Sequence, residues 1–333
     1  MKILKVSIII IGLFTVYGSF LNNESSEIQV TLYNDFNSGK YSEESTIRFK
    51  NFNMDYPNLT LTSLPIKSVV AKYYYLGGQY NKALELLYNS ESVNPYIMYN
   101  ESVKTEVFDA LKIQDSALIY AEKAFSGIPQ NQKHFIDLAR SYVGYNKHEK
   151  LDSMFSIVRY SDVPDIWKFY LSSLLTDELK ISSYGKEIAK ISINKFLDSD
   201  HPQIHLAAQY VLVGTEQVNQ ATEIDRLAET KYNNQEYFES GKLWEKAGKL
   251  NPLDFSYFEN AGLSFYNSKN YDEAIPNFRF VIDSLNPKSG KSEYLLAQTY
   301  HELGENKKAC DYIKKSSQQD FKRAFQLIPI YCE

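Results

Sequence analysis

Few residues in this chain could do chemistry: five histidines, two cysteines and scattered carboxylates. His201 and His205 stand one helical turn apart, which is metal-ligand spacing. They lack the intervening Glu of a zinc protease helix, and no third ligand is identifiable, although Asp198 and Asp200 are close in sequence. The competing reading is two ordinary surface histidines flanking a helix start, and the expectation is that no metal binds. His134, His148 and His301 do not stand at that spacing. Gly77-Gly78 reads as a tight turn, not a phosphate loop. No serine elbow occurs, and Cys310 and Cys332 have no evident histidine partner. Glu43-Glu44 and Asp272-Glu273 read as solvated helix faces. With no nucleophile, base and stabiliser together, the sequence predicts no catalytic residue, no cofactor and no enzyme. Three glycosylation-type triplets, beginning at Asn23, Asn58 and Asn100, are short enough to arise by chance.

Of the 333 residues 44% are hydrophobic, which is ample for a core. The formal charge is -5, and it becomes -7 once Lys2 and Lys5 are set aside with the leader described next. A nucleic-acid partner would need a clustered basic face, and the clearest cluster, Lys307-Lys308 with Lys314-Lys315, has the spacing of a solvated helix side, so no nucleic acid is expected. Residues 1–18 read as a secretory signal: Lys2 and Lys5, then an apolar run that includes Ile8 to Ile11, then Val16 and Gly18 as a weak cleavage point before Ser19. The run falls short of the roughly 20 residues of a membrane span. Retention of the leader as an anchor stays open. No cysteine lies near the cleavage region, which excludes a lipid anchor of the bacterial lipoprotein type.

From residue 24 onward no window shows sustained period-2 alternation, so the expected fold is all-α. The stretch 255–289 organises the rest, with Phe258, Ala261, Gly262, Phe265, Tyr271, Ala274, Phe278 and Pro287 in the pattern of helix, turn, helix. Gly262 and Ala274 are small where two helices would cross. Pro95 and Pro129 are 34 apart, as are Ala83 and Ala117, and Tyr237 and Tyr271. An Asn four residues before a Tyr recurs at Asn37, Asn233 and Asn267.

These residues resemble the tetratricopeptide repeat, a 34-residue helix-turn-helix unit whose copies stack into a right-handed superhelical solenoid. The phase sets units at 64–97, 98–131, 132–165, 221–254, 255–289 and 290–320, with a cap at 321–331 and a weak first unit at 25–57, where Glu44 takes the small position. Leu151 replaces the usual small residue in the third of these and predicts a wider helix crossing. The expected organisation is a signal peptide at 1–18, an N-terminal array at 25–165, a degenerate repeat with extra helices, or a bend, at 166–220, and a C-terminal array with its capping helix at 221–331. Three helices are expected in the irregular part, over 167–175, 181–197 and 203–218, and Pro329 is expected to end or kink the cap near Ile328.

Cys310 begins the second helix of the last unit and Cys332 ends the cap, so a hairpin folded near residue 321 brings them level. A disulfide in an exported chain and two buried thiols are the alternatives. The ending also looks like that of exported bacterial repeat proteins.

The resemblance implies function only coarsely: a protein or peptide held in the concave groove lined by the first helix of each unit. Carried over, the groove positions are Asp225, Glu229, Tyr232, Asn233, Glu259, Tyr266, Asn267, Tyr294, Gln298 and His301. The alternative is that the Tyr-Asn pairs merely finish their helices. The lysine and asparagine clamp by which the family's best-known version grips a terminal carboxylate is absent, and Asp225, Glu229 and Glu259 predict repulsion of an acidic ligand. The expected protein is a non-catalytic interaction scaffold, exported to the periplasm or cell envelope of a bacterium, with association to its outer membrane as one form of that expectation. The second reading is a membrane-tethered structural or assembly factor.

Overall fold

A computed structural model describes residues 2–39, 41, 46, 49, 52–196, 201–285 and 287–332. Glu44, Asp198 and Asp200, which entered the sequence reading, lie outside them. Among the described residues the chain is all-α with no β-strand. An isolated antiparallel bridge, Leu59 to Pro65, closes the insertion after the first unit.

The chain divides into two compact units, Met1–Ile166 and Trp167–Glu333. In the first, α1 (Lys2–Ser38) is followed by the hairpins α2 (Ile66–Leu76) with α3 (Tyr80–Tyr88) and α4 (Tyr99–Ala110) with α5 (Gln114–Gly127). Then come α6 (Gln132–Gly144) and the short α7 (Leu151–Val158), and α8 (Pro164–Leu174) spans the boundary between the units. The second holds α9 (Ser183–Phe196) and α10 (Pro202–Val213), then α11 (Thr215–Asn233) with α12 (Tyr237–Leu250), α13 (Phe255–Asn267) with α14 (Tyr271–Phe280), α15 (Lys291–Glu302) with α16 (Asn306–Gln318), and α17 (Lys322–Tyr331).

What stops each first helix is the same device throughout. A left-handed residue follows the helix, and the next backbone N–H reaches back to a carbonyl five residues earlier, satisfying an end that would otherwise be left open. The left-handed residues are Gly78, Lys112, Asn146, Gln235, Lys269 and Gly304, which keep the repeat phase. The bonds run from Gln79 to Tyr74 (2.8 Å), Ile113 to Phe108 (2.9 Å), Lys147 to Tyr142 (2.7 Å), Glu236 to Lys231 (3.0 Å), Asn270 to Phe265 (2.8 Å) and Glu305 to Tyr300 (2.9 Å). At Gly78 the neighbouring Gly77 is also required, since a Cβ there would stand 2.8 Å from the Tyr41 carbonyl.

Small residues one turn into the second helices, Ala83, Ala117, Ser240, Ala274 and Ala309, are all fully buried where the paired helices meet. Ser240 adds a bond from its hydroxyl to the Ala228 carbonyl, 2.7 Å. The exception is the pair α6 and α7. There buried Leu151 stands in place of alanine, the close backbone approach of the other hairpins is missing, and the Phe135 and Phe155 rings fill the gap edge to face at 6.3 Å.

Several expectations need correction. Gly262 does face the paired helix, but what it admits is the Phe278 ring: a Cβ at 262 would lie 2.6 Å from the ring carbon Cε1. Phe278 lies one turn beyond Ala274, so the space beside the glycine also serves as a hole for that knob. The helix expected over 203–218 ends at Val213, because Gly214 at φ 108 cannot continue it, and α11 starts at Thr215 instead of 221. The stretch after Leu174 is a tight helix broken at Asp177. In the irregular part, α9 and α10 pack against each other as a pair outside the repeat phase. Pro329 lies inside α17, which runs on to Tyr331. Only one helix bond is lost to a proline in a last turn, which explains why it is tolerated.

In α1 the apolar residues Ile8, Leu13, Phe14 and Val16 are well exposed, and burial begins at Leu21, with Ser25 and Leu32 following. Leu32 packs with Phe52, Ile66, Val70 and Tyr73. No helix among the described residues is long and apolar enough to cross a membrane.

Candidate functional site

The ten expected groove residues fall into three groups. Five are engaged in holding helices and repeats together. Asp225 accepts from Trp244 Nε1 on the paired helix at 2.7 Å, and burial raises its carboxyl despite that bond. Tyr232 accepts at its hydroxyl from Asn267 of the next unit, 2.8 Å, and its ring lies on Tyr237 and Trp244. Glu259 is only 3% exposed: one oxygen takes Lys291 Nζ and the other the Ser292 hydroxyl, each at 2.6 Å. His301 stacks on the Tyr331 ring at 4.2 Å.

Glu229 and Asn233 are exposed, outside any cleft described here. Tyr266 is half-buried against Tyr271 at 5.7 Å. Burial first, then Tyr266, Tyr294 and Glu302, push the Tyr331 hydroxyl up to about 12, so it remains a neutral donor at ordinary pH.

Tyr294 and Gln298 line a cleft of about 780 Å³ between α15, α13 and the entry to the cap. Its apolar floor is Leu263, Tyr294, Leu295 and Phe321, and its rim carries Lys291, Asp320, Lys322 and Arg323. The volume is that of a ligand pocket. The Tyr294 and Phe321 rings pack at 5.0 Å. Three bonds fix the wall. Ser316 donates to the Gly290 carbonyl (2.6 Å), Gly290 N donates to Gln319 Oε1 (2.9 Å), and Gln319 Nε2 donates to Glu293 (2.8 Å). Gly290 must be small and left-handed, since a Cβ would meet the Ser316 carbonyl at 2.8 Å and Phe321 Cβ at 2.9 Å. The sequence reading missed Leu263, Lys291, Phe321 and Arg323. Repeat phase alone does not mark them, because Leu263, Lys291, Phe321 and Arg323 stand at different positions of their own units.

The remaining chemical candidates separate. His205 Nδ1 is paired with Gln209 Nε2 at 2.8 Å, and desolvation lowers its pKa, opposed by Asp254. His201 lies edge-on to the Phe196 ring. Among the described residues no group of three or more His, Cys, Asp and Glu could hold a metal ion. Asn100 is buried and donates to the Leu87 carbonyl and to Ser90, so its triplet cannot carry a glycan in this fold. Cys310 and Cys332 form a disulfide with Cα atoms 4.8 Å apart, joining α16 to the end of the cap.

Both units hold hairpins of tetratricopeptide type, with the small residue, the left-handed turn and the 34-residue phase in register except at α6 with α7, which lacks the small residue, and at α9 with α10, which stand outside the phase. No protein family model matches the chain. No curated protein matches it either. Among solved structures it is similar to a tetratricopeptide repeat protein from Parabacteroides merdae, at 13% identity over 80% of this chain and 98% of that one, TM-score 0.33. It is also similar to the TPR2AB domain of yeast Sti1 in its complex with pHSP90, at 13% identity over 80% and 97%, TM-score 0.33. MamA of MSR-1 shares 17% identity over 67% and 96%, TM-score 0.27. At such scores these likenesses add nothing to the hairpin geometry, on which the repeat assignment rests.

Proposed function

We propose that the chain is a non-catalytic interaction scaffold that binds a segment of another polypeptide in the cleft of its C-terminal array. The observation that carries this is the opening beside Tyr294 and Gln298. It has an aromatic floor, polar groups at its rim and a wall held by Ser316, Gln319 and Gly290. A pre-formed surface of that kind lowers the ordering cost of binding. Tyrosine offers large contact area at low entropy cost, and Gln298 can bond an extended backbone.

A random-peptide display selection on the immobilised full chain tests this. Peptides enriched on the parent are expected to be lost on Tyr294→Ala and weakened on Gln298→Glu, a half-exposed position where a change leaves the fold alone. Selected peptides that bind all three proteins equally would place recognition elsewhere.

We also propose export to a bacterial cell envelope. The leader pattern of residues 1–18, the onset of burial only at Leu21 and the 310–332 disulfide support it. The exposed apolar run in α1 keeps a second reading in view, in which the leader is retained and tethers the array. Intact mass of the protein isolated from its native source separates them: a chain starting at Ser19 supports export with cleavage, and one starting at Met1 supports the tether.

A further inference from the structure

We infer that α10 is held on the C-terminal array by a joint that acid opens: protonation of the His205 ring undoes the contact that His205, Gln209 and Asn251 make between α10 and the turn before α13. None of these residues lines the cleft.

The core that runs through the C-terminal hairpins begins at Ala221 and, among the described residues, takes none from α10. Gly214, at φ 108, breaks the chain between α10 and α11, so no continuous helix carries the packing of one into the other. The Tyr210 hydroxyl reaches Asn219 at 3.1 Å, but that bond is exposed. The joint is the buried connection. Asn251 Nδ2 donates to Gln209 Oε1 at 2.8 Å across 42 residues of sequence, with Asn251 0% and Gln209 2% exposed. Gln209 Nε2 in turn meets His205 Nδ1 at 2.8 Å.

A neutral imidazole suits this place and a cation does not. With Nδ1 accepting from the Gln209 amide, the one ring proton sits on Nε2, which is buried with no hydrogen-bond partner. Protonation adds an N–H at Nδ1, where it confronts the Gln209 donor. Turning the Gln209 amide over relieves that clash but sets its NH2 against the NH2 of Asn251, so Asn251 must turn as well. Even then Nε2–H, now part of a cation, has no acceptor, and a buried charged donor left unpaired is costly.

Desolvation accordingly lowers the His205 pKa, and Asp254 is the charge that opposes the shift. Asp254 is already the cap of α13, accepting from Ser256 N at 3.0 Å and from its hydroxyl at 2.6 Å. Asp225 of α11 and Tyr257 of α13 interact with Asp254 and not with the ring. α9, the helix paired with α10, sets Phe196 against His201, one turn before His205. A histidine held neutral in this way costs nothing above its ordinary 6.5, and the fold loses stability as pH falls from there toward the lowered value.

Backbone hydrogen exchange of the full chain, corrected for the intrinsic rate, reads the opening of residues 202–213. It is expected to rise severalfold between about pH 7.5 and about pH 5.5, toward the ceiling of about tenfold for a single group one unit below its ordinary pKa. His205→Gln keeps a bond to Gln209 and cannot take a charge, so it should remove the rise. His201→Gln, on the same helix, should leave it. Equal opening at the two pH values in the parent, or a rise that persists in His205→Gln, would overturn the inference. So would loss of the rise in His201→Gln, which would move it to the helix start. If His205→Gln does not fold, titration of the parent ring by NMR decides: a pKa below 6.5 supports the joint, and one at or above 6.5 rejects it.

Discussion

Replacing Phe278 with alanine is expected to lower the stability of the C-terminal unit by about 3–5 kcal/mol. The ring is fully buried in one core with Ala261, Phe265, Ala274, Leu296 and Ala309. It enters the space left by the missing side chain of Gly262 on the neighbouring helix. Truncation therefore loses both the burial of the ring and the packing of its surroundings. From the other side of the same contact, Gly262→Ala is expected to cost about 1–3 kcal/mol, because the new methyl meets a ring with nowhere to move. The two sites are one contact, so their effects should not add. Combining Gly262→Ala with Phe278→Leu, a smaller and more flexible knob, should cost less than the two single changes together. Urea unfolding followed by the fluorescence of Trp244, which lies in this core, measures all three. Additive losses would mean that residues 262 and 278 do not meet, and the helix pairing would have to be redrawn.

The disulfide carries the second large effect. Cys332→Ser opens a covalent loop of 22 residues, and the chain-entropy relation gives a loss of about 3 kcal/mol in the stability of the cap and last hairpin. Reductant should reproduce the loss in the parent and leave the variant unchanged. The consequence reaches the binding surface, because α17 begins at the residues that form one side of the cleft, Phe321, Lys322 and Arg323. Reduction should therefore weaken peptide binding as well as stability. An oxidised parent no more stable than the variant would remove the bridge from the account.

Much of the fold is written in the sequence because a repeat states its rule several times. Ala83 with Ala117, and again Ala274 with Ala309, mark the crossings one repeat apart, and the recurrent tyrosines mark the second helices. The turns were legible only where glycine stands, at Gly78 and Gly304. Lys112, Gln235 and Lys269 adopt the same left-handed backbone, and their type gives no hint of it, because a side chain pays a modest local strain that the surrounding helices impose. The break at Gly214 was hidden by an apolar pattern that continues through it.

The site was harder to read for a different reason. Repeat phase says which residues share a position, but not whether a side chain is committed to its neighbour. Glu259 and Asp225 occupy groove positions by phase, yet Lys291, Ser292 and Trp244 have already taken their oxygens. Phase alone counts both as open acids, while the hydrogen bonds show their oxygens already taken. Lys322 and Arg323 were overlooked because the cap was read as a lid for the last hairpin, and not as the next first helix in the series.

Backbone hydrogen exchange of the full chain, with and without a peptide selected on it, tests the recognition surface most directly. Slowed exchange is predicted for residues 291–298 and 320–323 when the peptide is present, with the hairpins from Ile66 to Gly127 unchanged. Protection confined to those N-terminal hairpins, or none at the C-terminal cleft while the peptide is bound, would contradict the assignment.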